Sequence, residues 1–471
     1  MIMSDIRKFP VYLLFFCIAL TSAFSCRSSD GISREVLNAK KDSIKVNKRQ
    51  KNKQKQDTII NKDDYYNPNF LRYENYVYDA NIKTVLLHPD GWELSSPVIK
   101  LNSTDKLKLS FDDFVTNVKS YKFTVVHCNA DWTPSDLLPS DYIDGFTDDN
   151  INSYQYSLNT MQKYIHYDLI FPTENLRLTK SGNYLLKVFT ESDPETPVIT
   201  QRFMVMDQQV NIAGRVKRAT VLNDMDYKQE IDFTINSGAY NIENPYENIH
   251  VAITQNDRID NAITNLKPLY VRGSELIYDF EEGNVFTGGS EFRRFDVKSI
   301  QYYSERIAKI SYDSLGNHVY LKPDIRNTFK VYNSDKDING KYLIKTEDGR
   351  NTDIEADYLW VHFSLPYDAP LVDGDLYVMG ELTNWAFTKD AKLKYDYAQK
   401  TYKTALYLKQ GYYNYEYLFL KNSETVGDVS FIEGTHYETE NDYNIFVYYR
   451  KPGTLYDQLI AVKKLNSLKD K

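Results

Sequence analysis

From about Tyr76 onward, apolar and polar residues alternate with a period of two, the pattern of strands that bury one face. In TYKTALYLK, residues 401–409, Tyr402, Thr404, Leu406 and Leu408 share one face while Lys403, Ala405, Tyr407 and Lys409 share the other. In YYNYEYLFL, residues 412–420, Tyr413, Tyr415, Tyr417 and Phe419 lie opposite Asn414 and Glu416. With Gln410 and Gly411 between them, the two runs predict a hairpin. Similar runs occur at 121–128, 183–189, 201–206, 248–254, 317–321 and 358–365, and no stretch carries a sustained helical period. The connections (DPETP, TGGSEF, DGRNTD, VDGD) are rich in turn-forming Gly, Pro, Asn and Asp. The expected fold is all-β, a tandem of immunoglobulin-like β-sandwich domains of about 100 residues each. Boundaries near Asp207 and Asp353 give domains at 76–207, 208–353 and 354–471, the last with a C-terminal extension.

The N-terminus breaks this pattern. Arg7 and Lys8 precede an apolar run, FPVYLLFFCIAL at 9–20, which as a helix would be about 18 Å long against a hydrocarbon core of about 30 Å. That predicts a cleaved signal peptide, residues 1–25, in preference to a membrane span. Ala23 and Ser25 place small residues three and one before Cys26, as in a loose bacterial lipobox, so Cys26 is the predicted lipidation site. An ordinary secretory cleavage nearby, with Cys26 incidental, is the alternative. Residues 26–75 then read as a lipid anchor and a charged, disordered tether, since 33–64 are dominated by Lys, Asn and Gln. Removal of Cys17 and acylation of Cys26 would leave Cys128 as the one thiol, expected to be a small buried residue.

Charge and composition narrow the function. The first 32 residues carry +1 and residues 33–64 carry +5, so the −8 of the whole chain leaves −14 for the remainder. An acidic body argues against nucleic-acid binding, which requires a basic face. The 40 tyrosines suit pleated surfaces whose hydroxyls reach solvent.

Signatures of catalysis are missing from the sequence: there is no HExxH, Gly-x-Ser-x-Gly, Walker loop, dinucleotide fingerprint or CxxC. His127 and Cys128 are adjacent, but alternation sends their side chains to opposite faces of a strand. Asp335, Asp337, Asn339 and Gly340 (DKDING) match the first half of a calcium loop. Its twelfth position is Thr346, with Glu347 one later, and the flanks look like strands. A polar turn is the expectation there, with no metal, no cofactor and no enzyme activity.

In the last third, DGDLYVMGELTNWAF followed by GYYNYEYLF resembles glycogen-binding β-sandwich modules through Gly380, Asn384, Trp385, Gly411, Tyr413 and Tyr415. The resemblance implies a sandwich, with Trp385 a candidate for stacking on a glycan; a structural indole capping the core is the alternative. Over nearly the whole body, the chain resembles the type IX secretion system plug protein family of Bacteroidota. The phrases that carry this are HCNADWTPSDL at 127–137, YIDGF at 142–146, SGNYLLKVF at 181–189, RFMVMD at 202–207 and NVFTGGSEFRRFDVKSI at 284–300. The resemblance implies a lipid-anchored protein at the periplasmic face of the outer membrane, bound to a large β-barrel translocon whose idle channel it occludes without chemistry. A glycan-binding envelope lipoprotein of a polysaccharide-uptake system is the competing reading. The loops at 129–145 and 284–296 are the candidate sealing surface, with Trp132, Phe292, Arg293 and Arg294 as candidate partner anchors. Packing of Trp132 beneath its loop, and local pairing of the two arginines, is the alternative.

Overall fold

In the computed structural model, residues 70–471 are described, so the signal, Cys26 and nearly all of the tether lie outside the described residues. Strand accounts for 47% of the structure and helix for 5%, which makes the protein all-β. Among the described residues no helix is long and apolar enough to cross a membrane.

The strands form where alternation predicts them, and they are gathered around three apolar cores. The first core lies between two antiparallel-dominated sheets. One contains Tyr121–Cys128, Gly182–Thr190 and Asp193–Met206; the other contains Ile82–Pro89, Leu107–Asp113 and Ile165–Phe171. Tyr121–Cys128 buries Tyr121, Phe123 and Val125 at every second residue, as the pleat requires. Phe111, Tyr167 and Tyr184 join them in the core. Cys128 is buried and free, and burial pushes its thiol up to about 12. His127 points away from it, with Nδ1 2.9 Å from Ser135 Oγ and Nε2 3.2 Å from the Ser181 carbonyl. Burial lowers this imidazole to about 4.

The second core is assembled from two distant stretches. Val216, Ile231, Phe233, Ile253 and Tyr278 pack with Tyr443, Ile445, Val447 and Leu465. Ile249–Gln255 pairs antiparallel along its length with Asp442–Tyr449, which in turn pairs with Gln458–Asn466. The third core occupies the chain between these stretches and runs from Phe295 to Ile432. Within it, Arg293–Asp296 pairs with Gly411–Lys421. Both ladders join residues on either side of position 353, so the second core is discontinuous in sequence and the third is inserted into it.

The hairpin expected across Gln410 does not form. Thr401–Lys409 pairs with Tyr358–Pro366 and Lys394–Asp396, whereas Gly411–Lys421 pairs with Arg293–Asp296, Tyr342–Ile344 and Gly374–Met379 in another sheet. The chain therefore crosses from one layer of the sandwich to the other at Gln410. The assigned faces still hold for the second run, because Tyr413, Tyr415, Tyr417 and Phe419 all enter the core. Its opposite face is covered too. Glu416 meets Arg258 of the second core at 3.3 Å, and burial raises this carboxyl to about 8 against the pull of Arg258.

The three sandwiches are tied by buried polar contacts. Lys409 Nζ, from the third core, lies 2.6 Å from Asp112 of the first, and both are buried. Tyr358 donates to the same carboxylate at 2.6 Å, and His166 Nδ1 lies 2.6 Å from its other oxygen. Met206, Phe446, Tyr448 and Leu459 form a separate apolar cluster joining the first and second cores.

Candidate partner interface

Most of the side chains expected to anchor a partner are committed within the protein. Trp132 is half-buried and packs with the cluster around Met204 and Phe446, with the Arg202 guanidinium 4.4 Å from its ring centroid. Burial holds Arg202 down at about 10. Phe292 is buried, and its ring meets Trp385 edge-on at 6.0 Å. Arg293 is pinned by two carboxylates: Glu433 at 2.8 Å and Asp324 at 3.0 Å, both almost fully buried. Burial opposes its charge, but these two carboxylates raise its basicity above that of free arginine. Arg294 pairs with Asp335 at 2.6 Å and donates to the Lys336 carbonyl.

Trp385 is half-buried on a turn, where Asn384 and Trp385 are both left-handed. Its ring lies over Gly340, at which an added Cβ would stand 2.4 Å from an indole carbon. The glycine of the calcium-like motif thus gives the indole a flat seat. The motif's two carboxylates are engaged as well. Asp335 holds Arg294, Asp337 accepts from the Phe292 and Asn339 amides, and Asn339 donates to Asp442. Burial raises Asp337 to about 6 in spite of those two amides.

Two other groups have the composition of a cation site, His166 with Asp168 and Asp353, and Glu230 with Asp232 and Asp279. A lysine ammonium already stands in each. Lys108 is 3.0 Å from Asp168, and Lys217 is 2.7 Å from Asp232 and 3.1 Å from Glu230. A cleft of about 660 Å³ lies on the outer face of the third sandwich. Tyr320 and His362 line it, stacked on each other at 4.2 Å, and an Asp396–Lys403 pair lies at its rim. In that parallel stack each ring covers one face of the other.

The loop at 129–145 does present a surface, through residues other than Trp132. It is held from inside by buried Tyr142, whose hydroxyl donates to the Val125 carbonyl, and by pairing of Ile143–Gly145 with Leu176–Leu178. Leu138 and Phe146 stand outward on this braced frame, 67% and 68% exposed. Gly145 makes the last turn possible: its φ is +114°, and a Cβ there would lie 2.1 Å from the Asn175 carbonyl oxygen. Beyond it, the short edge strand Ser153–Tyr156 shows Tyr154 and Tyr156 to solvent, followed by exposed Leu158 and Met161. Exposed apolar side chains are a feature of contact surfaces where they form a contiguous patch. Pro139 after Leu138 and Gly145 before Phe146 were the available sequence signals, since turn residues take neighbouring side chains out of the alternating pattern.

Fold and surface together define an all-β protein of interlocked sandwiches, with apolar side chains displayed on braced loops of the first. The model for the first domain of the type 9 secretion system plug protein matches residues 82–207, the same sandwich. This chain belongs to the type 9 secretion system plug protein family and so to a system of the cell envelope. Among solved structures it is similar to a hypothetical protein from Parabacteroides merdae, at 34% identity and a TM-score of 0.82. The match covers 84% of this chain and 100% of that one. No curated protein matches the chain.

Proposed function

We propose that this protein is the non-catalytic plug of the type IX translocon, occluding the periplasmic mouth of the outer-membrane channel while no cargo passes. The observation that carries the reading is coincidence in one segment. The part of the chain matched to the plug family is also the part that holds Leu138, Phe146, Tyr154 and Tyr156 outward on a braced frame. A channel wide enough for folded cargo leaks small solutes when idle. A cover held by surface complementarity, and released by competition, solves this without chemistry. Lipidation at Cys26 and a tether before the first sandwich would keep the released cover at high effective concentration near the channel.

The test is recovery of the translocon from solubilised envelopes on a C-terminally tagged chain. The wild-type protein is expected to bring down a large outer-membrane barrel, and the double variant L138D/F146D to recover at least tenfold less at an unchanged melting temperature. Absence of any such barrel on the wild-type protein, under conditions that preserve membrane complexes, overturns the proposal.

A further inference from the structure

A second exposed apolar feature lies outside the family-matched segment, in the third sandwich. Residues 325–331 read Ile-Arg-Asn-Thr-Phe-Lys-Val. Phe329 and Val331 are 89% and 91% exposed, and Ile325 is exposed beside them in sequence. Side chains this open on an unsupported loop would mean little, but here the backbone is fixed. Asn327 N donates to the Ile432 carbonyl at 2.8 Å, Thr328 Oγ1 donates to the Phe431 carbonyl at 2.9 Å, and Arg293 donates to the Ile325 carbonyl at 2.7 Å. On the far side, Tyr332 donates to Glu291. The protein thus commits Arg293 and three further hydrogen bonds to hold a loop whose tips, Phe329 and Val331, stand almost fully in solvent.

Its charge is the reverse of the body's. Lys322, Arg326 and Lys330 fall in and beside the loop, while the chain from Tyr65 onward carries −14. Lys322 and Lys330 form no ion pair among the described residues, and Arg326 rests over the Tyr367 ring at 4.7 Å. The carboxylates close in sequence are neutralised internally. Asp324 is buried against Arg293 and Arg306, and Asp335 is paired with Arg294. At physiological salt, charge acts over roughly 8 Å, so Arg326 and Lys330, with Glu291 held behind Tyr332, weigh more at the loop than the net charge of the body.

We propose that residues 325–331 form a membrane-docking loop, which sinks Phe329 and Val331 into the head-group and acyl boundary of an anionic bilayer while Arg326 and Lys330 meet its phosphates. A protein partner of ordinary affinity needs roughly 800 Å² of complementary surface on each side, and three protruding side chains do not supply that. A bilayer needs no matching pocket and accepts isolated apolar tips ringed by cations. One loop gives weak, reversible attachment. Its effect is to orient the third sandwich toward the lipid, independently of any contact made by the first.

Residues 70–471 belong to one compact unit, and the solved relative is matched over its whole length, so this segment can be used without anchor or translocon. It is mixed with vesicles of phosphatidylcholine, with or without one quarter phosphatidylglycerol, and sedimented. Binding to the anionic vesicles is expected to exceed binding to the neutral ones at least tenfold and to fall with added salt. F329D/V331D is expected to lose it at least tenfold with unchanged melting, and R326E/K330E to lose the preference for anionic lipid. Failure of the wild-type segment to sediment with either vesicle, or equal sedimentation by F329D/V331D, overturns the proposal. So does a result in which F329D/V331D leaves vesicle binding intact and instead abolishes recovery of the translocon, which would make the loop a protein contact.

Discussion

Arg293 separates two roles that sequence alone leaves equally open, partner anchor and internal brace. Its guanidinium donates to both oxygens of Glu433 at 2.8–3.1 Å, to Asp324 at 3.0 Å and to the Ile325 carbonyl at 2.7 Å. Replacement by methionine keeps most of the apolar stem and removes the charge. Breaking a buried pair from one side costs about 3–5 kcal/mol, because the other charge is left without compensation. Asp324 would retain Arg306 at 2.6 Å and the hydroxyls of Tyr415 and Tyr417. Glu433 would keep only the Tyr417 amide and Asn327. The expected loss for R293M is therefore near the lower end, about 3 kcal/mol, and E433Q added to it should return part of that by removing the stranded charge. Urea titration followed by tyrosine and tryptophan fluorescence measures both, with a midpoint shift of about 1 M at a slope of roughly 3 kcal/mol per M. An R293M protein that unfolds at the wild-type midpoint but fails to recover the translocon would refute the reasoning and restore Arg293 as an interface anchor.

Two further expectations concern the joints between sandwiches. Burial opposes the charge of His166, but Asp112 at 2.6 Å and Asp168 at 3.3 Å outweigh it and raise the imidazole to about 9. A raised histidine contributes its stability in full below its ordinary value of 6.5 and loses it as pH climbs through about 9. The gap in urea midpoint between wild type and H166Q should accordingly close between pH 6.5 and pH 9, and a gap that widens over that range would contradict the assignment. At Gly340, φ is +77° and an alanine Cβ would stand 2.4 Å from Trp385 and 2.7 Å from Phe292. G340A should cost about 1–3 kcal/mol by overpacking and alter tryptophan emission, whereas an unchanged melt would show that the indole is not seated there.

The strands were legible because alternation is a local property: the face of Tyr413, Tyr415, Tyr417 and Phe419 can be read from spacing alone and is the face that enters the core. Which strands pair is not local. Nothing in the spacing of Ile249–Gln255 indicates that its neighbour is Asp442–Tyr449, nearly two hundred residues on. At Gln410, a two-residue connection that reads as a hairpin is instead a crossing between layers. The family was legible from whole phrases such as HCNADWTPSDL, yet the conspicuous residues of those phrases proved poor guides to the surface. Trp132 and Arg293 stand out in sequence, and both have internal partners. The outward residues Leu138 and Phe146 are ordinary in composition, and only the turns that flank them set them apart.

Insertion of the third sandwich into the second also sets an order of assembly. The second core needs Tyr443, Ile445, Val447 and Leu465 before its sheet can close, while the third is complete once Ile432 has arrived. A chain that emerges N-terminus first can therefore finish the inserted sandwich while its host is still open, with Ile249–Gln255 paired on one edge to Ile263–Leu266 and open on the other until Asp442–Tyr449 appears. Because domains generally fold as units during emergence, the final strand Gln458–Asn466 acts as a latch on the whole body. The body cannot reach its finished form until Gln458–Asn466 has been delivered.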